Sequence, residues 1–206
     1  MTAAIEPELR PEVAAALAEA DAQCRRERIP MLGPDKARFL YSLVLREQPA
    51  LVVECGTAVG YSGLWICAAL ERNDGGRLIT LELDADRAEQ AGRRFHSAGV
   101  SDRVEQRVGD ARETIRALRG PVDFLFLDNG FEHYLPCFRG IEAQLAPAAL
   151  LVADNAGIGA EQMADYLRLA RESYASETHW FETDLDWVRR DAMEVTLFAG
   201  AYPAAV

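Results

Sequence analysis

Two hydrophobic rhythms divide the chain. From Glu12 to Arg28 an alanine-rich run of good helix formers lies between Pro11 and Pro30. After Gly33-Pro34 the apolar residues Phe39, Leu40, Leu43 and Val44 recur at i, i+3/i+4 spacing until Pro49. Both stretches predict helices. Beyond Pro49, short continuous apolar runs alternate with amphipathic ones. The runs predict strands over Leu51–Cys55, Arg77–Glu82, Arg103–Val108, Val122–Leu127 and Ala149–Ala153. Helices are predicted between them over Ser62–Leu70, Asp84–Ala98, Ala111–Leu118, Tyr134–Leu145 and Glu161–Tyr174. Two further strands, Thr178–Thr183 and Met193–Ala199, are expected at the end, joined by a polar loop.

Alternating strands and helices, with strands that are apolar on both faces, predict a parallel sheet covered by helices on each side. The closing pair of strands has no helix between them, which predicts an antiparallel terminal hairpin. The expectation is one doubly wound α/β unit with a mostly parallel seven-stranded sheet. Residues 1–48 would form a helical extension packed on the core, and residues 49–206 the α/β unit itself. At 206 residues the chain is the size of one domain.

Composition narrows the function classes. Half the residues are apolar and 27% are charged, which excludes wholesale disorder. There are 22 basic and 33 acidic residues, a net charge of −11, and no basic footprint. Nucleic acids and anionic membranes are therefore disfavoured as partners. No apolar run reaches the ~20 residues of a membrane span. The segment Met1–Arg10 carries Glu6 and Glu8 and lacks the apolar centre of a secretory signal. Cys24, Cys55, Cys67 and Cys137 lie far apart, with no CxxC pair and no Cys/His cluster. Reduced, buried thiols and a cytoplasmic location are expected.

Open α/β sheets bind ligands beyond the carboxyl ends of their strands. Each of the first five strand ends here carries an acid: Glu54, Glu82, Asp110, Asp128 and Asp154. One such acid is ordinary helix capping, whereas a series of them predicts a site. The first loop reads Glu54-Cys55-Gly56-Thr57-Ala58-Val59-Gly60-Tyr61-Ser62-Gly63. Ala58 stands where a dinucleotide loop needs its second glycine, and no Gly-Lys-Ser/Thr follows, so both the nicotinamide and the P-loop patterns fail. A ligand without phosphate fits better. S-adenosylmethionine (SAM) has an ammonium that Glu54 can bind, directly or through water, and ribose hydroxyls that can donate to Glu82. Its adenine would reach Asp110 and Ala111.

The chain resembles the cation-dependent O-methyltransferases related to catechol O-methyltransferase, over about Pro30 to Gly200. The resemblance is carried by Met31-Leu32-Gly33, Val53-Glu54-Cys55-Gly56-Thr57 with Gly60-Tyr61-Ser62, Thr80-Leu81-Glu82-Leu83 and Val108-Gly109-Asp110-Ala111. Phe126-Leu127-Asp128 with Tyr134-Leu135-Pro136, and Ala153-Asp154-Asn155, complete it. It implies the Rossmann-like SAM methyltransferase fold over residues 49–206. It also implies donor contacts from Leu32, Glu54, Gly56, Ser62, Glu82, Ala111 and Asp128, with Thr57, Gly60, Leu83 and Asp110 in the same loops. Asp128, Asp154 and Asn155 would hold a divalent cation. Oxygen ligands suit Mg²⁺, with Mn²⁺ or Ca²⁺ as substitutes. The acceptor would be a small molecule, a vicinal diol of catechol type, and the enzyme a homodimer.

In one place the chain departs from the family. Three residues after the first metal-binding acid the family has a lysine read as the general base, and here Phe131 stands there. The burden falls on the cation or on His133, whose unperturbed pKa suits a base; the other reading of His133 is a surface residue at a helix start. Asp184 and Asp186, next to Trp187, lie in the region that closes over the acceptor in the family, and read equally as a solvated loop. Two alternatives to a cation-dependent reaction stay open. One is metal-independent methyl transfer to another nucleophile, and the other is a SAM-binding module that has lost catalysis.

Overall fold

A computed structural model describes residues 7–198. Residues 1–6 and 199–206, with Ala199 of the expected last strand and Gly200 of the family resemblance, lie outside the described residues. The element order is α1 (Pro11–Glu27), α2 (Gly33–Glu47), β1 (Leu51–Cys55), α3 (Tyr61–Arg72), β2 (Arg77–Glu82), α4 (Ala85–Ser97) and β3 (Val104–Val108). It continues with α5 (Ala111–Thr114), β4 (Val122–Leu127), α6 (Tyr134–Ile141), β5 (Leu145–Ala153), α7 (Ala164–Ser173), β6 (Ala175–Leu185) and β7 (Val188–Leu197).

The strands form one sheet in the order β3-β2-β1-β4-β5-β7-β6. The first five are parallel; β7 runs antiparallel to β5, and β6 antiparallel to β7. β1 is buried along its whole length, Glu54 included, because β2 and β4 flank it and helices cover both faces. On one face, α1, α2, α3 and α4 share a core with Phe124, Phe126 and Val152 of the sheet. α3 is apolar all round because it is sandwiched between the sheet and the two N-terminal helices, and Tyr61 to Leu70 are all buried. On the other face α6 and α7 pack Tyr134, Phe138 and Tyr166 over Leu125, Leu127 and Leu151. Among the described residues no helix is long and apolar enough to cross a membrane.

Several expectations change: α6 stops at Ile141, and Leu145, expected at a helix end, instead opens β5. The helix expected to run to Leu118 is α-helical only to Thr114 and continues as a 3₁₀ turn over Ile115–Ala117. The polar loop expected between the last strands is mostly strand: β6 and β7 pair from Ala175↔Leu197 to Leu185↔Val188. Most of its polar residues are exposed, whereas Asp191 is buried on the inner side.

Strand-like pairing continues past the strand ends and sets the site residues side by side. Asp128 N–H donates to Cys55 O at 2.9 Å, Asp154 N–H to Leu127 O at 2.9 Å, and Gly56 N–H to Leu81 O at 2.9 Å. Gly56 has φ +103, and a Cβ there would lie 2.2 Å from the Asp128 carbonyl oxygen. Any side chain at this position must push β1 away from β4 while holding a left-handed backbone. Gly56→Ala is expected to destabilise the fold by about 1–3 kcal/mol, read as a lower urea midpoint. An unchanged midpoint would show that the two strand ends separate freely.

Candidate active site

The strand ends open into a cavity of about 570 Å³. One end is built on the glycine loop. Both oxygens of Glu82 are held by backbone N–H groups: Oε1 accepts from Asp84 at 2.9 Å and Oε2 from Ala58 at 2.7 Å. Glu82 is thus fixed at the cavity wall, with lone pairs left for a ligand's hydroxyls. Leu83 beside it is 71% exposed, an apolar surface with little protein against it. Asp110, Ala111 and Leu32 line the same end. Asp110 caps α5, and the Arg112 guanidinium holds its carboxyl down at about 2.

Glu54 stands at the expected strand end but deeper than the cavity wall. It is fully buried and does not line the cavity; Ser62 and Thr57 do. Ser62 Oγ donates to Glu54 Oε1 at 2.5 Å and Thr80 Oγ1 to Oε2 at 2.6 Å, while the Thr57 and Thr80 hydroxyls meet at 2.5 Å. A chain of hydroxyls therefore separates the acid from any ligand. Burial pushes the Glu54 carboxyl up to about 7 against the pull of the two hydroxyls. Gly60 likewise does not reach the cavity, and its left-handed φ of +90 starts α3 against Ala91.

The other end is acidic. Asp128, Asp154 and Asn155 come together there. Asp154 is buried, whereas the half-buried Asp128 carboxylate accepts no hydrogen bond among the described residues. Burial and then the neighbouring Asp154 charge push the Asp128 carboxyl up. Lys36, in the first turns of α2, reaches into this end. Its Nζ donates to Asp154 Oδ1 at 2.8 Å and Oδ2 at 2.9 Å, and to Asp191 Oδ2 at 2.7 Å. Among the described residues no three His, Cys, Asp or Glu side chains converge on a metal-sized point. The candidate set here is two carboxylates and an amide.

His133 lines the cavity, as Phe131 and Trp187 do. The His133 ring packs over Gly130 and lies 3.6 Å from Glu132. Phe131 packs against Gly159 and lines the cavity. Asp184 is tied to α1, since Arg25 Nη2 donates to its Oδ2 at 2.7 Å and Arg25 Nη1 to its carbonyl at 3.1 Å. Asp186 is exposed at the hairpin tip. Neither acid lines the cavity; Trp187 does, together with Thr183, Leu185 and Val188.

Sequence reasoning missed Lys36 and Asp191. Lys36 carried a signal: of the chain's 22 lysine and arginine residues it is the one lysine. Asp191 sat in the stretch taken for a loop.

A family profile described as "Methyltransferase domain" matches residues 53–156. Catechol O-methyltransferase B of Danio rerio is 33% identical over 186 residues, covering 86% of this chain and 69% of that one. A catechol O-methyltransferase of Niastella koreensis is 35% identical over 128 residues, 60% of this chain and 57% of its own length. Among solved structures, the O-methyltransferase TomG of Streptomyces achromogenes, in complex with SAM, superposes with a TM-score of 0.77. It is 25% identical, with 97% of this chain and 93% of that one covered. An O-methyltransferase of Bacillus cereus in complex with SAH, at 22% identity, shares the fold with the same TM-score.

The raised Glu54 carboxyl has a sign that can be checked. Its contribution is fully present below the unfolded value of about 4.5 and is lost as pH rises through about 7. Relative to Glu54→Gln, the wild type is expected to lose about 3 kcal/mol of stability between pH 4.5 and 8. Parallel stability–pH curves for the two proteins would show that Glu54 does not titrate in this range.

Proposed function

Because the chain belongs to the class I SAM-dependent O-methyltransferases related to catechol O-methyltransferase, we propose that it methylates a hydroxyl of a small vicinal diol of catechol type. A divalent cation would assist, and no lysine base takes part. The observation that carries this reading is the continuity of the cavity. The Glu82 end, suited to a ribose, and the Asp128–Asp154–Asn155 end open into one space walled by Phe131 and Trp187.

The residues fit a hard cation. Asp128 offers a carboxylate without a donor, and burial and Asp154 both destabilise its charge. Asn155 spends its Nδ2 on Asp191 at 3.0 Å, which leaves Oδ1 free. All three side chains present oxygen. A divalent ion held by them would supply Lewis acidity that lowers the pKa of a chelated hydroxyl.

The chain's own residues do the rest. Glu82 accepts from the donor's ribose hydroxyls, and Ser62, backed by Glu54, faces its amino-acid end. Phe131 and Trp187 give an aromatic acceptor apolar contact and keep water from the reacting atoms. Phe131 takes no proton, so positioning and the acceptor's own acidity carry the deprotonation, with His133 at the cavity wall as the alternative base.

Methylation of catechol, followed by release of S-adenosylhomocysteine, is expected to cease in EDTA and to return with Mg²⁺ or Mn²⁺. Full turnover in EDTA would favour metal-independent transfer to another nucleophile. Donor binding without turnover on diols or amines would favour a binding module. Glu82→Ala is expected to weaken SAM binding about 10- to 100-fold, the equivalent of losing a charged hydrogen-bond acceptor. Calorimetry giving equal affinities would exclude Glu82 as the ribose partner.

A further inference from the structure

Lys36 is 3% exposed, and all three protons of its ammonium are spent on carboxylates. It is also the chain's one lysine, whereas every other basic residue is an arginine. A guanidinium is a flat fork suited to bidentate surface pairs. An ammonium is a compact point charge that three oxygens can surround. Burial would push the Lys36 ammonium down, but the Asp154 and Asp191 charges outweigh it and hold it up at about 12, so it stays charged.

The partner acid ties this cation to the expected ligands. Asp191 Oδ2 accepts from Lys36 and from Asn155 Nδ2, while Oδ1 accepts from the backbone N–H of Gly157 at 3.2 Å and Ile158 at 3.0 Å. Asp191 thereby fixes the 155–158 turn and aims the Asn155 amide. Lys36 pairs with both Asp191 and Asp154. Asp128, which accepts no hydrogen bond among the described residues, lines the same cavity as Lys36, Asp154 and Asp191.

We propose that Lys36 is a positioning residue that keeps the cation site assembled before a cation arrives, its ammonium standing in on Asp154 and, through Asp191, setting Asn155. When a divalent ion binds, Lys36 yields part of Asp154 to it and stays on Asp191. This role rests on the proposed cation site and adds to it a resident charge that the family resemblance did not predict.

A single lysine makes the test direct. Protein grown with 13Cε-lysine gives one lysine side-chain signal. Titration with Mg²⁺ is expected to shift that signal to saturation, and Mn²⁺, being paramagnetic, to broaden it. In EDTA, Lys36→Met is expected to unfold roughly 5–15 °C below the wild type, as for a buried ion pair that loses one partner. Mg²⁺ is expected to restore much of that loss and to raise the wild-type midpoint far less. Lys36→Arg should not behave as the wild type does, because a guanidinium cannot sit among the three oxygens. Ion binding detected by water relaxation, with an unmoved lysine signal, would overturn the role of Lys36 and leave the cation reading standing. So would a Lys36→Met protein whose lost stability no ion restores. Binding to Lys36→Met alone would support the stand-in and overturn the cation-assisted reaction. No binding to either protein would overturn both.

Discussion

At the switch point of the sheet, β1 and β4 approach so closely that no side chain fits between Gly56 and the Asp128 carbonyl. That contact dictates the rest of the site. It brings the glycine loop, which leads into α3, against the segment that carries Asp128. The N–H of Asp154, donated to Leu127, then sets the next acid beside it. The donor end and the acidic end share one cavity because the backbones that carry them are in contact.

Strand ends rich in acids would repel one another if left alone. Each acid but one is balanced by a local device of a different kind. Glu82 has two backbone N–H groups, Asp110 has Arg112, Glu54 has two hydroxyls and burial, and Asp154 has a buried ammonium. Asp128 is the exception, and it faces the cavity. Buried acids without partners are costly, so an uncompensated one marks where the fold leaves room for a charge from outside.

The parallel sheet was legible because fully buried strands such as Val122–Leu127 leave an unbroken apolar run. The site acids were legible because they follow those runs directly. The wall of the acceptor end was harder to read. β6 and β7 form an edge hairpin with one solvated face, so their polar residues imitate a loop, and Asp191 was hidden among them. Glu54 was placed at the right strand end, but its depth depends on Ser62 and Thr80, which other elements supply. Lys36 lay on a helix whose period was read correctly. A charged residue on the inner face of a helix is invisible until the acids it meets, more than a hundred positions away, are folded beside it.

The pair of Lys36 and Asp191 joins residues 155 positions apart. At a synthesis rate of about 5–20 residues per second, the lysine waits about 8–30 s for this acid. Residues 51 to 111, which make the glycine loop, Glu82 and the cap of α5, leave the ribosome well before it. Only β7, the last strand among the described residues, brings the carboxylate that seats the ammonium, so the acidic end has all its groups only after the rest of the cavity wall has been synthesised.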